Sequence, residues 1–141
     1  MEWTTELRYK RYEDWTEEEK KQIKENMANS PWHTHYHVEP KTGLLNDPNG
    51  FSYFNGKWIL FYQNFPFGAA HGLKSWVQLE SDDLVHFKET GLKVLPDTPL
   101  DSHGAYSGSA MQFDDKLFLF YTGNVRDENW IRHPYQIGAL L

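Results

Sequence analysis

The chain has 141 residues, a formal net charge of −6, a pI near 5.6 and no basic block, which argues against a nucleic-acid surface or an anionic membrane as its partner. It has no cysteine, so a disulfide framework, a Cys-based metal site and a thiol nucleophile are excluded. Aromatic residues make up 16%, a density that builds β-rich cores and leaves some rings to serve as stacking platforms for sugars.

The first residues, Met1-Glu2-Trp3-Thr4-Thr5-Glu6, are charged rather than apolar, and no apolar run approaches the ~20 residues of a membrane span. A soluble, cytoplasmic protein is expected. Residues 1–31 read as a charged helical extension without chemistry of its own. Thr16-Glu17-Glu18-Glu19 fits a capping box with acidic residues in the first turn, Ile23 and Met27 share one face, and Glu17 can pair with Lys21. Asn29, Ser30 and Pro31 end this helix.

In Trp32-His33-Thr34-His35-Tyr36-His37 the histidines alternate and would share one face of a strand. Alternating histidines are compatible with zinc, but the spacing offers no carboxylate ligand, so a lead-in strand is expected and no metal. Leu44 to Gly50, Leu-Leu-Asn-Asp-Pro-Asn-Gly, follows. Pro48 lacks an N–H and pushes Asp47 into an extended conformation, while Asn49-Gly50 tolerates positive φ, so the chain is expected to turn sharply there and enter a strand. The Asp47 carboxylate then stands at the mouth of that strand.

Phe51 to Phe54, Asn55-Gly56 and Lys57 to Tyr62 form a hairpin signal, since Asn-Gly suits a type I′ turn. Trp76 to Glu80 reads as a third strand and Phe87 to Thr90 as a fourth, giving one antiparallel sheet. The segment from Phe54 to Tyr62 aligns without gaps on Phe113 to Tyr121, an internal repeat offset by 59 residues. About four strands per repeat is the signature of a β-propeller blade, with the extra length in loops 65–74 and 96–103. Propellers close with roughly four to eight blades and this chain offers barely two, so it is expected to be part of a longer propeller.

Several stretches resemble glycoside hydrolase family 32, the invertase and sucrose-6-phosphate hydrolase group. Asn46-Asp47-Pro48-Asn49-Gly50 is similar to its Asn-Asp-Pro-Asn-Gly signature, Phe61-Tyr62-Gln63 to the segment whose Gln holds a fructosyl hydroxyl, and Tyr106-Ser107-Gly108-Ser109-Ala110 to its aromatic-Ser-Gly-Ser-Ala segment. Phe120-Tyr121-Thr122-Gly123 is a further match. The resemblance implies an all-β fold, with residues 32–141 as the first two blades of a five-bladed propeller. It also implies a retaining β-fructofuranosidase that needs no metal or organic cofactor and acts on sucrose 6-phosphate or sucrose. Asp47 would be the nucleophile, with Leu44, Leu45, Asn46, Gln63, Trp76, Tyr106 and Ser107 binding the sugar.

Elementary chemistry agrees with that assignment. Retaining cleavage needs one carboxylate to attack and a second carboxylic acid ~5 to 5.5 Å away to protonate the leaving oxygen. Donors from Asn46 and Gln63 would favour the charged form of Asp47. The resemblance puts the second carboxylate in a downstream Glu-Cys motif that this chain does not contain, and Arg126-Asp127-Glu128 does not fit the family's Arg-Asp-Pro motif. His71 stands where many relatives carry a Trp, and His71 with Lys74 is a candidate to favour a phosphorylated sugar. The alternatives are a non-catalytic sugar-binding module and a fructan hydrolase of the same family.

Overall fold

The computed structural model describes residues 2–141; Met1, at the head of the expected extension, lies outside the described residues. Seven strands carry the fold: β1 (Leu44–Phe54), β2 (Lys57–Phe65), β3 (Ser75–Ser81), β4 (Lys88–Val94), β5 (Ala105–Phe113), β6 (Lys116–Arg126) and β7 (Arg132–Leu140). They form two antiparallel meanders, β1-β2-β3-β4 and β5-β6-β7. The expected Asn55-Gly56 turn joins β1 to β2, with φ of +51° and +78° at the two residues, the pair of positive values that matches strand twist. The sequence repeat is structural: Phe54 and Phe113 each end the first strand of a sheet and pair with Lys57 and Lys116, which open the second.

The sheets pack through one shared core. Ile59, Phe61, Trp76 and Val94 from the first meet Ala105, Leu117, Leu119 and Tyr121 at or leading into the second, all at 5% exposure or less. The first strands, β1 and β5, lie beside each other. Two successive blades with adjacent inner strands are the arrangement of a partial propeller.

Before the blades come α1 (Thr5–Arg8), a 3-10 turn (Tyr12–Asp14) and α2 (Glu17–Ala28). The capping box forms as expected: Thr16 Oγ1 accepts from Glu19 N at 3.2 Å, and Glu19 Oε2 accepts from Thr16 N at 2.7 Å. Thr16→Ala should destabilise the protein by about 1 kcal/mol in a denaturant titration. The surface pairing differs from expectation, since Lys20 rather than Lys21 reaches Glu17 and Lys21 pairs with Glu25.

The extension is also more tightly bound than its polar composition suggests. Trp15 is buried and stacks on Phe67 with centroids 4.3 Å apart, Trp3 meets Phe65 edge-on, and Tyr12 donates to the Leu73 carbonyl or to Ser75 Oγ.

Trp32–His37 is not a strand. Its backbone bends and its rings stand in solvent, Trp32 at 87% and Tyr36 at 84% exposure. Local bonds replace the ladder: Thr34 N donates to Glu39 Oε2 and Thr34 Oγ1 to the His37 carbonyl, an alternative that short polar side chains offer the backbone. His33 Nδ1 lies 2.8 Å from Glu39 Oε1, and this hydrogen bond holds the imidazole above its usual value. A raised histidine contributes stability that is complete below its unfolded value of ~6.5 and is lost as pH rises through the folded value. The Thr34 amide should therefore exchange faster above neutral pH than the His33 pairing alone allows near pH 6, after correction for intrinsic base catalysis. An unchanged protection factor would remove the role of His33.

Candidate active site

Two β-bulges build the site. Along β1, Leu45 pairs with Asn64 and Pro48 with Tyr62, so Asn46 and Asp47 together oppose Gln63. The expected sharp turn at Asn49-Gly50 is absent. The strand continues through a second irregularity between Asn49 and Ser52, because the ladder to β2 persists on both sides and positive φ at Gly50 is absorbed as a kink. Along β5, Tyr106 pairs with Thr122 and Gly108 with Tyr121, which leaves Ser107 as the extra residue. Bulges re-aim side chains, and these two turn Asp47 and Ser107 towards each other. Gly108 is required at the second bulge, since a Cβ there would stand 1.9 Å from the Phe120 carbonyl oxygen.

Asp47 Oδ2 accepts from Ser107 Oγ at 2.7 Å and from Gln63 Nε2 at 2.8 Å, and Gln63 Nε2 also lies 3.0 Å from Ser107 Oγ. Gln63 is buried, whereas Asp47 and Ser107 open to solvent. Asp47 Oδ1 has no hydrogen-bond partner among the described residues.

Asn49, expected only as a turn former, ties the blades together. Its Oδ1 accepts from Gly108 N and its Nδ2 donates to the Asp47 carbonyl, both at 2.9 Å. The sequence signal for this role was the short amide two residues after Asp47, a spacing that lets the side chain bond the backbone.

The remaining expected site residues divide. Asn46 flanks Asp47, and its buried Oδ1 has no partner among the described residues. Tyr106 is half-buried, and burial followed by contact with Tyr9 pushes its phenol up to about 12. Leu44 packs against the Trp15–Phe65–Phe67 cluster and Leu45 against Tyr62, Val77 and Leu79, so both support the strand from behind.

Trp76 is a correction. It is fully buried between Phe61 and Tyr121, and its Nε1 donates to the Tyr106 carbonyl at 3.1 Å, so it braces the strand that holds Ser107 and presents no face to a ligand.

Lys74 is 5% exposed with its ammonium over the Tyr106 ring at 5.2 Å. Burial draws it below the ordinary lysine value, and the charge of Asp47 pushes it back up. Asp101 is buried and bonded to Tyr121 and Thr98, and Asp127 caps the β6–β7 turn. Among the described residues, no cluster of three His, Asp or Glu groups is placed to hold a metal.

The model of the glycosyl hydrolases family 32 N-terminal domain matches residues 37–141. The chain belongs to that family. Among curated family 32 relatives, it is 76% identical over 135 residues to a sucrose-6-phosphate hydrolase of Streptococcus mutans, covering 96% of this chain and 28% of the relative. It is 59% identical over its whole length to the Lactococcus lactis enzyme of the same name, of which it spans 30%. The solved sucrose-6-phosphate hydrolase of Lactobacillus gasseri superposes with a TM-score of 0.94 at 53% identity, covering 99% of this chain and 29% of that one. A family 32 beta-fructofuranosidase of Bombyx mori in complex with sucrose matches at 0.71 and 30% identity, over 90% of this chain and 28% of that one. The chain thus spans under a third of the length of these relatives.

Proposed function

We propose that this chain supplies the nucleophile side of a retaining β-fructofuranosidase site acting on sucrose 6-phosphate or sucrose. The observation that carries the reading is the Asp47–Ser107–Gln63 cluster, an exposed carboxylate with one oxygen fixed and the other free. Asp47 Oδ1 attacks the anomeric carbon of the fructosyl unit and forms a covalent intermediate. A carboxylic acid protonates the leaving glucosyl oxygen and then, as a base, activates the water that releases fructose. The family resemblance assigns that acid to the Glu of a downstream Glu-Cys motif, which these residues do not contain.

Asn46 Oδ1, Gln63 and Ser107 offer the acceptor and donors that fructosyl hydroxyls need, and Tyr106 an apolar wall. The extension, described from residue 2 to 31, acts as an arm docked on the propeller part, 32–141. An exposed apolar face on the second sheet, including Met111, Phe113 and Phe120, suits contact with a further blade. A substrate that is a phosphorylated sugar suits the cytoplasm, and the names of the most similar relatives support that substrate.

The test is fructose release by the full-length enzyme from both sugars, compared as kcat/KM. Preference for sucrose 6-phosphate is the expected result. Better use of plain sucrose would make it an invertase, and sugar binding without hydrolysis of either would make it a binding module.

A further inference from the structure

The arm, in which sequence reading found no chemistry, reaches the rim of the site. Arg8 ends α1 and is held twice: its Nε donates to the His71 carbonyl at 2.7 Å, and its own carbonyl accepts from Leu73 N at 2.7 Å. The approach is so close that only glycine fits opposite, since a Cβ on Gly72 would stand 2.4 Å from the Arg8 carbonyl oxygen and 2.7 Å from the Phe65 ring. Trp3 and Trp15 anchor the arm on either side through Phe65 and Phe67. Arg8 is therefore positioned by backbone contacts on both sides of His71-Gly72 rather than hanging in solvent.

Its guanidinium uses only Nε in this contact, and among the described residues neither terminal nitrogen has a partner. None of the ion pairs of the described residues involves Arg8, His71 or Lys74. The three groups nevertheless feel one another, because Lys74 and Arg8 together with burial hold the His71 imidazole below its usual value. Lys74 in turn lies over Tyr106 and within the field of Asp47. In a chain of net charge −6, Arg8, His71 and Lys74 thus sit within one another's field without an ion-pair partner among the described residues.

We propose that Arg8, with His71 beside it and Lys74 beneath, forms the seat for a phosphomonoester on the leaving end of the sugar. The N-terminal arm is then the element that distinguishes sucrose 6-phosphate from sucrose. A planar guanidinium with both terminal nitrogens free matches two phosphate oxygens, and a rim position suits a phosphate remote from the bond being cleaved. Plain sucrose makes no such contact, so the seat adds affinity for one substrate alone. This rests on the fructosidase reading above and assigns a residue outside the nucleophile cluster to specificity.

The experiment compares wild type, Arg8→Ala, Arg8→Gln and Arg8→Lys of the full-length enzyme on both sugars, with melting temperature measured in parallel. Arg8→Gln can still donate to the His71 carbonyl, so it removes the charge while keeping the arm docked. Arg8→Ala and Arg8→Gln should lower kcat/KM for sucrose 6-phosphate by about 10- to 100-fold, the size of one charged hydrogen bond, and leave sucrose within about twofold. Arg8→Lys should recover part of the preference. An unchanged ratio, or equal losses on both sugars, would overturn the seat while the fructosidase reading stands. A wild type that cleaves neither sugar would overturn that reading and the seat with it.

Discussion

Asp47→Asn in the full-length enzyme is expected to lower fructose release by on the order of 10⁴-fold or more, the scale seen when a covalent nucleophile is removed. Asn has nearly the same shape, and its oxygen can still accept from Ser107 and Gln63, so the cluster that fixes Oδ2 at 2.7 and 2.8 Å stays assembled. What disappears is the second anionic oxygen that forms the bond to the anomeric carbon. Melting temperature should stay within a few degrees of wild type, because Asp47 is exposed and contributes no core packing. If more than about one part in a hundred of the activity survived in a verified variant, Asp47 would not be the nucleophile. Burst kinetics of fructosyl-enzyme formation would give an independent reading, since the variant should show none.

The largest stability effect belongs to Trp76. Truncation to Ala removes a fully buried indole from the layer between the blades and should cost about 3 to 5 kcal/mol, a large share of the roughly 5 to 15 kcal/mol that keeps a domain folded. Trp76→Phe keeps most of the packing and deletes only the donor to the Tyr106 carbonyl. That change should cost about 1 to 3 kcal/mol, the penalty for an unsatisfied buried acceptor, and should loosen the strand that carries Ser107. Urea titrations of both variants give the two numbers. A Phe variant with full stability and a raised KM would return Trp76 to the sugar-wall role that its sequence context suggested.

The difference between what could and could not be read in advance follows the range of the forces involved. The Asn55-Gly56 turn, the capping box at Thr16 and the doubled hairpin depend on residues a few positions apart, and each stands where its local chemistry put it. The resemblance points to Asp47, Gln63 and Ser107, but their meeting follows from bulges that a sequence does not announce. Trp76 looked like a sugar platform because aromatic residues serve both surfaces and cores, and only the second sheet decides which. The histidine stretch alternates like a strand, but no neighbouring edge pairs with it, and Thr34 and Glu39 satisfy the backbone instead. The arm's polar composition conceals two tryptophans whose partners, Phe65 and Phe67, lie some 50 residues or more away.

The bond from Ser107 to Asp47 spans 60 positions of the chain. A cell that makes about 5 to 20 residues per second adds the second blade several seconds after the first. During that interval Asp47 has its own strand and Gln63 but neither Ser107 nor the Gly108 amide that holds Asn49. Contacts of such separation close late, so assembly of the reactive geometry trails formation of the hairpins that bear it. A ribosome-bound chain halted before β5 should carry a formed first blade and an Asp47 still lacking its Ser107 partner.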